Sequence, residues 1–515
     1  MKQLFIAIVC FVATTTFAQK KETETKFADM ITPQALKEKL SIIASPEMEG
    51  RETATPGQKH AAAFIEEQFK KFGLLPGNGD SYQQKFPVYQ DEISDKILQA
   101  SEKSFQVNEK SFEWDKDYTT NSAGNWTLNN VVFAGEGNYD SAKNINDFAG
   151  LDVNGKAILI VENLAGTNNR RAAMMAMRSK IMAAQQNGAA GIFAVSQDFP
   201  LKNPTPLKGA MTLRQPKTPA TTSPFFYIRI SNEVASALLG KTSTLSFDEL
   251  KNIDKGNYSS NIKITVEKNT NTLESSNVIG VLPGTDKKDE YVFLTAHYDH
   301  LGKRGNVIYY GADDDGSGTA SILQMAQAFT EAAKQGYKPR RTIVFMTVSG
   351  EEKGLLGSEY YSEHPIYSLD KTSVDLNTDM DGRIDTERKL DDTLNYIYVI
   401  GHDKLSSDLP KINEGVNNKY THLTLDYKFD DPNDPERIYY RSDHYNFAKK
   451  GVPVLFFYDG MLKADYHQPS DTVDKINFDL MSKRVKMIFY TAWEMANRDE
   501  MLKRDTPLNM PASRF

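Results

Sequence analysis

The chain has 515 residues, of which 40% are hydrophobic and 25% charged, and its formal net charge is −7 at pH 7. This composition excludes a collagen, a disordered tail and a disulfide scaffold. At roughly 100 to 200 residues per domain, the length predicts two or three domains. An acidic chain without a Lys/Arg cluster is also a poor fit to a nucleic-acid partner.

The first 18 residues are typical of a secretory signal peptide. A positive Lys2 precedes an apolar run from Leu4 to Ala13, which is too short to span a bilayer. We expect cleavage after Ala18, which leaves 515 − 18 = 497 residues. The sequence therefore predicts an exported protein, periplasmic or secreted, with no membrane span after the signal.

The single cysteine, Cys10, lies inside this segment. The alternative is a lipoprotein signal with Cys10 as the lipidated residue, but that needs small residues before the cysteine, where Ile8 and Val9 stand. Without Cys10 and Lys2 the mature chain has no thiol and a net charge of −8, because −7 − 1 = −8. A thiol nucleophile and a cysteine-ligated zinc site are excluded.

Helical periodicity follows a polar linker at residues 19–30. Pro33–Ala44 is predicted as a helix with Thr32 as its N-cap, and Gly57–Phe72 as a second helix. The next region, residues 101–265, changes to short strands separated by Asn, Gly and Asp turns. No residue set for chemistry occurs there, which predicts a small α/β insert.

Within the insert, the pattern predicts strands at Gly155–Val161 and Gly188–Val195 and a helix at Lys180–Gln186 between them. Pro224–Leu239 predicts one more strand and a helix.

From about Ser276 apolar strands alternate with helices. Strands are predicted at Asn277–Leu282, Tyr291–Ala296 and Thr342–Val348, with a helix at Thr319–Ala332. This alternation predicts an α/β fold with a mixed, mostly parallel central sheet flanked by helices. Sites in such sheets form at the carboxyl ends of the strands.

Histidines and carboxylates follow several of these strand-like segments: His297, Asp299, Asp313, Asp314, Asp315, Glu351, Glu352, Asp379 and His467. Each alone has a plainer interpretation, such as a structural His–Asp pair for His297 and Asp299, or a solvated turn and helix cap for the three aspartates. Together they offer nitrogen and oxygen ligands without thiolate, which suits zinc, or less well manganese or cobalt. One carboxylate bridging two ions would give a two-metal site.

Other catalytic templates are missing. The sequence has no HExxH motif, no phosphate-binding loop, no dinucleotide fingerprint and no GxSxG elbow. Ser442, Asp443 and His444 are adjacent, and adjacent side chains cannot form a catalytic triad.

Six motifs, in this order and spacing, carry a resemblance to a known family: AHYDHLG at Ala296–Gly302, GADDDGSG at Gly311–Gly318, SGEEKGLLGS at Ser349–Ser358, LNTDMDGR at Leu376–Arg383, RSDHYNF at Arg441–Phe447 and DYHQPSDTVDKI at Asp465–Ile476. The chain resembles metallopeptidase family twenty-eight, the two-zinc aminopeptidases related to glutamate carboxypeptidase and the transferrin receptor. The segment GRETATPG near the N-terminus is similar to this family as well, so the resemblance covers nearly the whole mature chain.

The resemblance implies two zinc ions per chain. Asp314 would bridge them, with His297 and Asp379 on one ion and Glu352 and His467 on the other. It also implies a cis peptide bond between Asp314 and Asp315.

The resemblance gives catalytic roles to two further residues. Glu351 would be the general base that activates a metal-bridging water, and Tyr466 would stabilise the oxyanion. Asp299, a carboxylate two residues after His297, is predicted from the spacing to orient that histidine as a metal ligand. Asp315 and Gly316 replace the commoner Asn-Ala pair, and Asp381 stands where an apolar residue is usual, which bears on the loop near Asp379.

The middle segment resembles a protease-associated domain, which implies a lid that influences substrate access. The predicted organisation is a signal peptide at 1–18, a linker at 19–30, a catalytic domain at 31–100 and 266–515, and the insert at 101–265.

The resulting hypothesis is an exported zinc exopeptidase acting on peptide substrates, and an aminopeptidase in particular. Alternatives on the same fold are a carboxypeptidase, a dipeptidase or a glutaminyl cyclase, which uses one zinc. A non-enzymatic binding protein is disfavoured because all five ligands and the base are present. For Arg441 two interpretations stay open, a pair with a substrate carboxylate and a structural salt bridge.

Overall fold

The computed structural model describes residues 23–101, 110–140, 143–162, 170–215 and 225–511. The predicted signal peptide at 1–18 lies outside the described residues. The described chain divides into two compact units: unit 1 comprises the residues up to Val88 and from Leu273 onward, and unit 2 is Tyr89–Thr272. Within the described ranges, no helix has the length and apolar character needed to cross a membrane.

The helices are α1 Pro33–Ile43, α2 Pro56–Phe72, α3 Arg170–Gln186, α4 Asn232–Leu238, α5 Phe247–Lys251, α6 Gly318–Lys334, α7 Leu356–Glu363, α8 Leu409–Tyr420, α9 His444–Ala448 and α10 Phe478–Asn497. The strands are β1 Leu75–Pro76, β2 Gln83–Ser101, β3 Lys110–Ser111, β4 Tyr118–Thr120, β5 Gly124–Phe133, β6 Tyr139–Asp140, β7 Ile145–Asn146, β8 Ala157–Val161, β9 Gly191–Val195, β10 Lys208–Thr212, β11 Phe226–Ile230, β12 Gly256–Leu282, β13 Lys287–His297, β14 Lys303–Arg304, β15 Val307–Ile308, β16 Arg341–Val348, β17 Thr372–Thr378, β18 Tyr396–Ile400, β19 Thr424–Asp426 and β20 Val454–Tyr458.

The predicted helix starts agree closely with the structure. α1 begins at Pro33, and the side chain of Thr32 caps it by accepting a hydrogen bond from the Ala35 N–H at 3.1 Å. α2 ends at Gly73, whose φ of 92° is the left-handed conformation that closes many helices.

The strands at the edges of the predicted insert are longer than expected. β2 and β12 have 19 and 27 residues, and both unit boundaries fall inside them. Polar residues in β12, such as the run Lys268–Asn271, look like turns in the sequence but lie at exposed positions of a continuous strand.

The sheet of unit 1 has the order β19-β18-β20-β17-β13-β16-β12. The β18–β19, β20–β17, β17–β13 and β13–β16 pairs are parallel, and the β18–β20 and β16–β12 pairs are antiparallel. The predicted mixed, mostly parallel sheet flanked by helices is confirmed.

Both faces of this sheet are buried, because neighbouring residues of one strand point to opposite faces. Val292 and Leu294 of β13 belong to the core that also includes buried residues of α1, α2, α6 and α10. Phe293 belongs to a second core on the other face, with Tyr361 of α7 and Phe447 of α9. These cores explain why the strands read as continuous apolar runs.

The parallel strands end at one edge of the sheet. His297 at the end of β13 pairs in register with Val348 at the end of β16, and β17 and β20 end at Thr378 and Tyr458. The loops that follow therefore bring the predicted site residues to the same edge.

The strand order of unit 2 begins at β12. The residues of β12 up to Val266 pair antiparallel with β5, the order continues β5-β8-β9-β11-β4, and the β5–β8, β8–β9 and β9–β11 pairs are parallel. Its assignment as a protease-associated domain stays a prediction.

The core of unit 1 gives a stability prediction. Phe329 of α6 is 1% exposed, and its ring lies 4.5 Å from the ring of Phe489 and 5.6 Å from that of Trp493. Because Phe329→Ala leaves a cavity among these rings, we expect a loss of about 3–5 kcal/mol in the free energy of unfolding, measured by urea denaturation.

The matched control is Leu390→Ala, since Leu390 is 57% exposed in the same unit. This variant should change the free energy of unfolding by about 0.5 kcal/mol or less. Equal effects of the two substitutions would contradict the packing argument.

Candidate metal centre and active site

The carboxylate of Asp314 lies between two histidines. Its Oδ1 is 3.3 Å from His297 Nε2, and its Oδ2 is 3.1 Å from His467 Nε2. On the first side, Asp379 Oδ1 lies 3.5 Å from His297 Nε2. On the second side, Glu352 Oε2 lies 3.2 Å from His467 Nε2. The structure thus brings together all five residues predicted as ligands, with Asp314 in the middle.

Several polar atoms of this cluster are buried and have no hydrogen-bond partner among the described residues. They include His297 Nε2, Asp314 Oδ2 and Glu352 Oε1. Ligand atoms of His297, Asp314 and Asp379 lie within 4.8 Å of one another, and so do those of His300, Asp314 and Glu352. Nitrogen and oxygen donors this close together fit zinc ions.

The electrostatics keep the central carboxylates anionic, which is the form that binds a cation. Burial alone would raise the pKa of Asp314, but contacts with His297 and His467 and the charge of His300 lower the pKa well below its usual value. Burial and the charge of Asp314 act to raise the pKa of Glu352, but contacts with His300 and His467 lower it to about 2.

Glu351 lies beside this cluster and directly follows a sharp turn. Gly350 has a φ of 83°, a left-handed conformation that turns the chain after β16. Glu351 Oε2 then lies 3.9 Å from His297 Nε2, while Glu352 faces His467. Burial raises the pKa of Glu351 well above its usual value, against the opposing charge of His297.

The carboxylate of Asp299 accepts two hydrogen bonds from residues beside the cluster. Thr53 Oγ1 donates to Oδ2 at 2.7 Å, and the Glu351 N–H donates to Oδ1 at 3.2 Å. The ring of His297 contacts Asp299 chiefly through the backbone, because Nδ1 lies 3.1 Å from the carbonyl oxygen and 3.7 Å from the carboxylate. Because the backbone carbonyl oxygen of Asp299 contacts the His297 ring, the Asp299 carboxylate is available to accept the hydrogen bond from the Glu351 N–H.

Tyr466 stacks on His467, with ring centroids 3.8 Å apart. Its hydroxyl accepts a hydrogen bond from Arg441 Nη2 at 3.0 Å. Burial raises the pKa of Tyr466, so the phenol stays protonated and can donate to an oxyanion.

Sequence reasoning missed His300, the second histidine of the AHYDHLG motif. It is completely buried, and its Nδ1 lies 2.8 Å from Glu352 Oε1 and 3.8 Å from Asp314 Oδ2. His300 therefore lies on the side of the cluster where Glu352 meets Asp314. A histidine directly after Asp299 in the motif was the available signal.

Arg51 was also missed. It is completely buried and donates to the backbone carbonyls of Ile43, Tyr298, Tyr310 and Gly311. It therefore ties together the loops that carry His297 and the aspartate cluster.

The neighbours of Asp314 are fixed by backbone donors. The Asp313 and Asp314 N–H groups both donate to the carboxylate of Asp471. Asp315 accepts from the N–H groups of His297, Gly318 and Met380. The peptide bond between Asp314 and Asp315 is cis, as the resemblance implies.

Asp381 does not disturb the loop that carries Asp379. Its carboxylate accepts from Ser321 Oγ at 2.8 Å, and its N–H donates to Ser317 Oγ at 3.0 Å. Burial raises the pKa of Asp381 to about 7.

Ser442, Asp443 and His444 have separate partners. Asn377 donates to Ser442, Ser358 donates to Asp443, and His444 stacks on Phe456 with ring centroids 4.6 Å apart. The adjacent residues do not form a triad.

Two openings adjoin the cluster. A small pocket of about 30 Å³ is lined by three carboxylate residues, Asp314, Glu351 and Asp379, together with Met380, Ile438, Arg441, Phe456, Tyr458, Leu462 and Tyr466. A larger cleft of about 680 Å³ shares Glu351, Arg441 and Tyr466 with it. The cluster is therefore open to a ligand on a side where Arg441 is present.

Comparison with known proteins gives a family match. Residues 277–492 match the model described as peptidase family M28. A probable leucine aminopeptidase of Arthroderma otae is 30% identical over 235 residues, which is 45% of this chain and 60% of that protein. A probable glutamate carboxypeptidase of Arabidopsis thaliana is 39% identical over 98 residues, covering 19% of this chain and 13% of that protein.

Among solved structures, an aminopeptidase from Aneurinibacillus sp. strain AM-1 aligns over 95% of this chain and 100% of its own, with a TM-score of 0.53 and 19% identity. This likeness shows a shared fold. The match to the peptidase family M28 model, over residues 277–492, covers the region that holds the candidate metal cluster. The chain spans about 60% of the length of the Arthroderma otae relative.

The Thr53 contact gives a testable prediction. Thr53→Val removes the donor that holds Asp299 while keeping the side-chain shape. Loss of such an outer contact weakens metal binding by roughly ten- to 100-fold, and we expect that change in zinc affinity, measured by competition with a chelating dye.

Thr55→Val is the control, since Thr55 Oγ1 donates to the Glu52 carbonyl within the same loop and to no other atom of the described part of the chain. Its zinc affinity should match the parent. A Thr53→Val protein with parental affinity would show that Asp299 needs no support from this loop.

Asp375 gives a pH-dependent prediction. This buried strand residue accepts from Thr295 Oγ1 at 2.8 Å, and burial raises its pKa to about 8 from a usual 3.8. Between these pH values the folded state binds more protons than the unfolded state, so this group lowers the free energy of unfolding as the pH rises. Asp375→Asn cannot ionise, so its stability relative to the parent should increase from pH 5 to pH 8 in urea denaturation.

The exposed Asp391 provides the control. Asp391→Asn should keep a constant stability difference from the parent over this range. A constant difference for Asp375→Asn as well would show that its carboxyl is ionised in the folded protein.

Proposed function

We propose that the protein is an exported zinc-dependent aminopeptidase that removes the N-terminal residue of peptides. The observation that carries this proposal is the position of Asp314, whose two carboxylate oxygens face separate His/carboxylate pairs. Glu351 lies beside this arrangement, and Tyr466 lies at the opening.

Two zinc ions fit the donor set. His297 and Asp379 would hold one ion, Glu352 and His467 the other, and Asp314 both. Zinc bound there supplies a Lewis acid that polarises the scissile carbonyl and lowers the pKa of water.

The residues of the chain account for the proton transfers. Glu351 accepts a proton from the attacking water as its oxygen adds to the carbonyl carbon, and then delivers that proton to the leaving amine as the C–N bond breaks. Asp299 holds the backbone of Glu351 in place for this exchange. The Tyr466 hydroxyl donates to the oxyanion that develops on the carbonyl oxygen.

The relatives support the type of reaction, since the Arthroderma otae protein carries the name probable leucine aminopeptidase. Because of that name, substrates with an N-terminal leucine are the first to assay. The proposal of export has a separate basis, namely the signal-like residues 1–18.

Glu351→Gln tests this function. The amide keeps the shape of the side chain but cannot accept the proton, so kcat should fall by roughly 100- to 10,000-fold while zinc content and folding are retained. The assay is hydrolysis of leucine p-nitroanilide with zinc measured by elemental analysis.

Glu359→Gln is the matched control, because Glu359 lines the same cleft and the substitution is identical. Its kcat should stay near the parent value. A Glu351→Gln variant with parental turnover would exclude the proposed mechanism. Cleavage of N-acetylated peptides at the other end would favour a carboxypeptidase, and one zinc per chain would favour a cyclase.

A further inference from the structure

Arg441 has few partners for a half-buried cation. Its side chain is 32% exposed, and one nitrogen, Nη2, donates to the Tyr466 hydroxyl. The carboxylate of Glu436 lies 4.0 Å from Nη1, and it is 45% exposed and also faces Lys463 at 3.7 Å. An exposed ion pair at that distance contributes little, so the structural salt bridge is a weak account of Arg441.

The hydroxyl of Tyr458 is a second hydrogen-bond donor at the small pocket. Tyr458 lines the same pocket as Arg441 and is 3% exposed, and its hydroxyl has no hydrogen-bond partner among the described residues. A buried hydroxyl without a partner is costly, and an acceptor atom on a ligand in this pocket would satisfy it. The free positions of the Arg441 guanidinium and this hydroxyl are both hydrogen-bond donors, and they suit an anion.

The position of Arg441 relative to the reaction restricts what that anion is. Arg441 is one hydrogen bond from Tyr466, which under the proposed function contacts the scissile carbonyl oxygen. The α-carboxylate of the residue that follows the scissile bond lies roughly 3–4 Å from that carbonyl, because only the C–N, N–Cα and Cα–C bonds, each of about 1.3–1.5 Å, separate the two carbon atoms. A planar guanidinium matches a carboxylate with two parallel hydrogen bonds.

We propose that Arg441 binds a carboxylate of the substrate, namely the α-carboxylate of a dipeptide whose second residue is the leaving group. This inference rests on the proposed function and narrows its substrates to short peptides. An acidic side chain on the leaving residue offers the same chemistry, and the experiment separates the two sources.

The test compares substrates that differ by one charge, using the zinc-loaded protein. Leu-Ala against Leu-Ala-amide probes the α-carboxylate, and Leu-Glu-amide against Leu-Gln-amide probes the side chain. For the parent we expect kcat/KM to be at least ten-fold higher for Leu-Ala than for its amide, chiefly through a lower KM.

Arg441→Gln should bring this ratio close to one, and Arg441→Lys should give an intermediate ratio because lysine lacks the planar fork. Lys463→Gln is the matched control. This substitution also removes a positive charge beside Glu436, but Lys463 lines neither opening, so the Leu-Ala to Leu-Ala-amide ratio of kcat/KM should equal that of the parent. Arg441→Lys also keeps the test decisive if Arg441→Gln fails to fold.

Two outcomes overturn the proposal. An equal loss on charged and amide substrates would show that Arg441 only positions Tyr466, and unchanged ratios in both pairs would show that it meets no carboxylate. If Leu-Glu-amide is the preferred member of its pair and Leu-Ala is not, the carboxylate belongs to the side chain.

A binding measurement separates this proposal from the proposed function. Calorimetric titration of zinc-loaded Glu351→Gln with Leu-Ala and Leu-Ala-amide requires no turnover. Failure of every peptide to be hydrolysed by the parent would reject the proposed function. Equal affinity for the two ligands, in contrast, would reject the role of Arg441.

Discussion

The rest of the site depends on the burial of like charges at the start of one helix. Asp313, Asp314 and Asp315 are consecutive, and each is at most 3% exposed. Three adjacent carboxylates are stable there only because each has a different form of compensation. Backbone donors satisfy Asp315, whereas the carboxylate of Asp314 is met by histidines on both sides. A cation bound at this point would supply the compensation that these carboxylates need.

The two arginines near the site show how differently one residue type can be used. Arg51 is completely buried, and its guanidinium donates hydrogen bonds to four backbone carbonyls within the fold. The side chain of Arg441 donates a hydrogen bond to the Tyr466 phenol, lies 4.0 Å from the Glu436 carboxylate and lines an opening. The first arginine stabilises the loops, and the second has donors left for a ligand.

Sequence periodicity was sufficient for the main strands and helices around the site and for the edge of the sheet where the site lies. Two-residue alternation in β13 predicts the direction of His297, and the parallel order of the strands predicts that the residues after β16 and β17 reach the same edge. Periodicity contains no information about Thr53 or Arg51, because their partners are about 250 positions away in the chain. The same limit applies to β12, where exposed polar residues hide a continuous strand. The individual ligand roles came from the family resemblance, since spacing alone left several carboxylates equivalent.

Unit 1 is formed by two separate stretches of the chain, and this affects the order in which its parts are synthesised. Arg51 emerges from the ribosome 247 residues before Tyr298, and all of unit 2 is made in between. At about 5–20 residues per second, the loop around Arg51 waits roughly 12–50 s for its acceptors. During that interval unit 2, a continuous stretch of chain with its own core, is able to fold first. His467 is the last of the proposed metal ligands to be made, so the candidate metal cluster cannot assemble before His467 has left the ribosome.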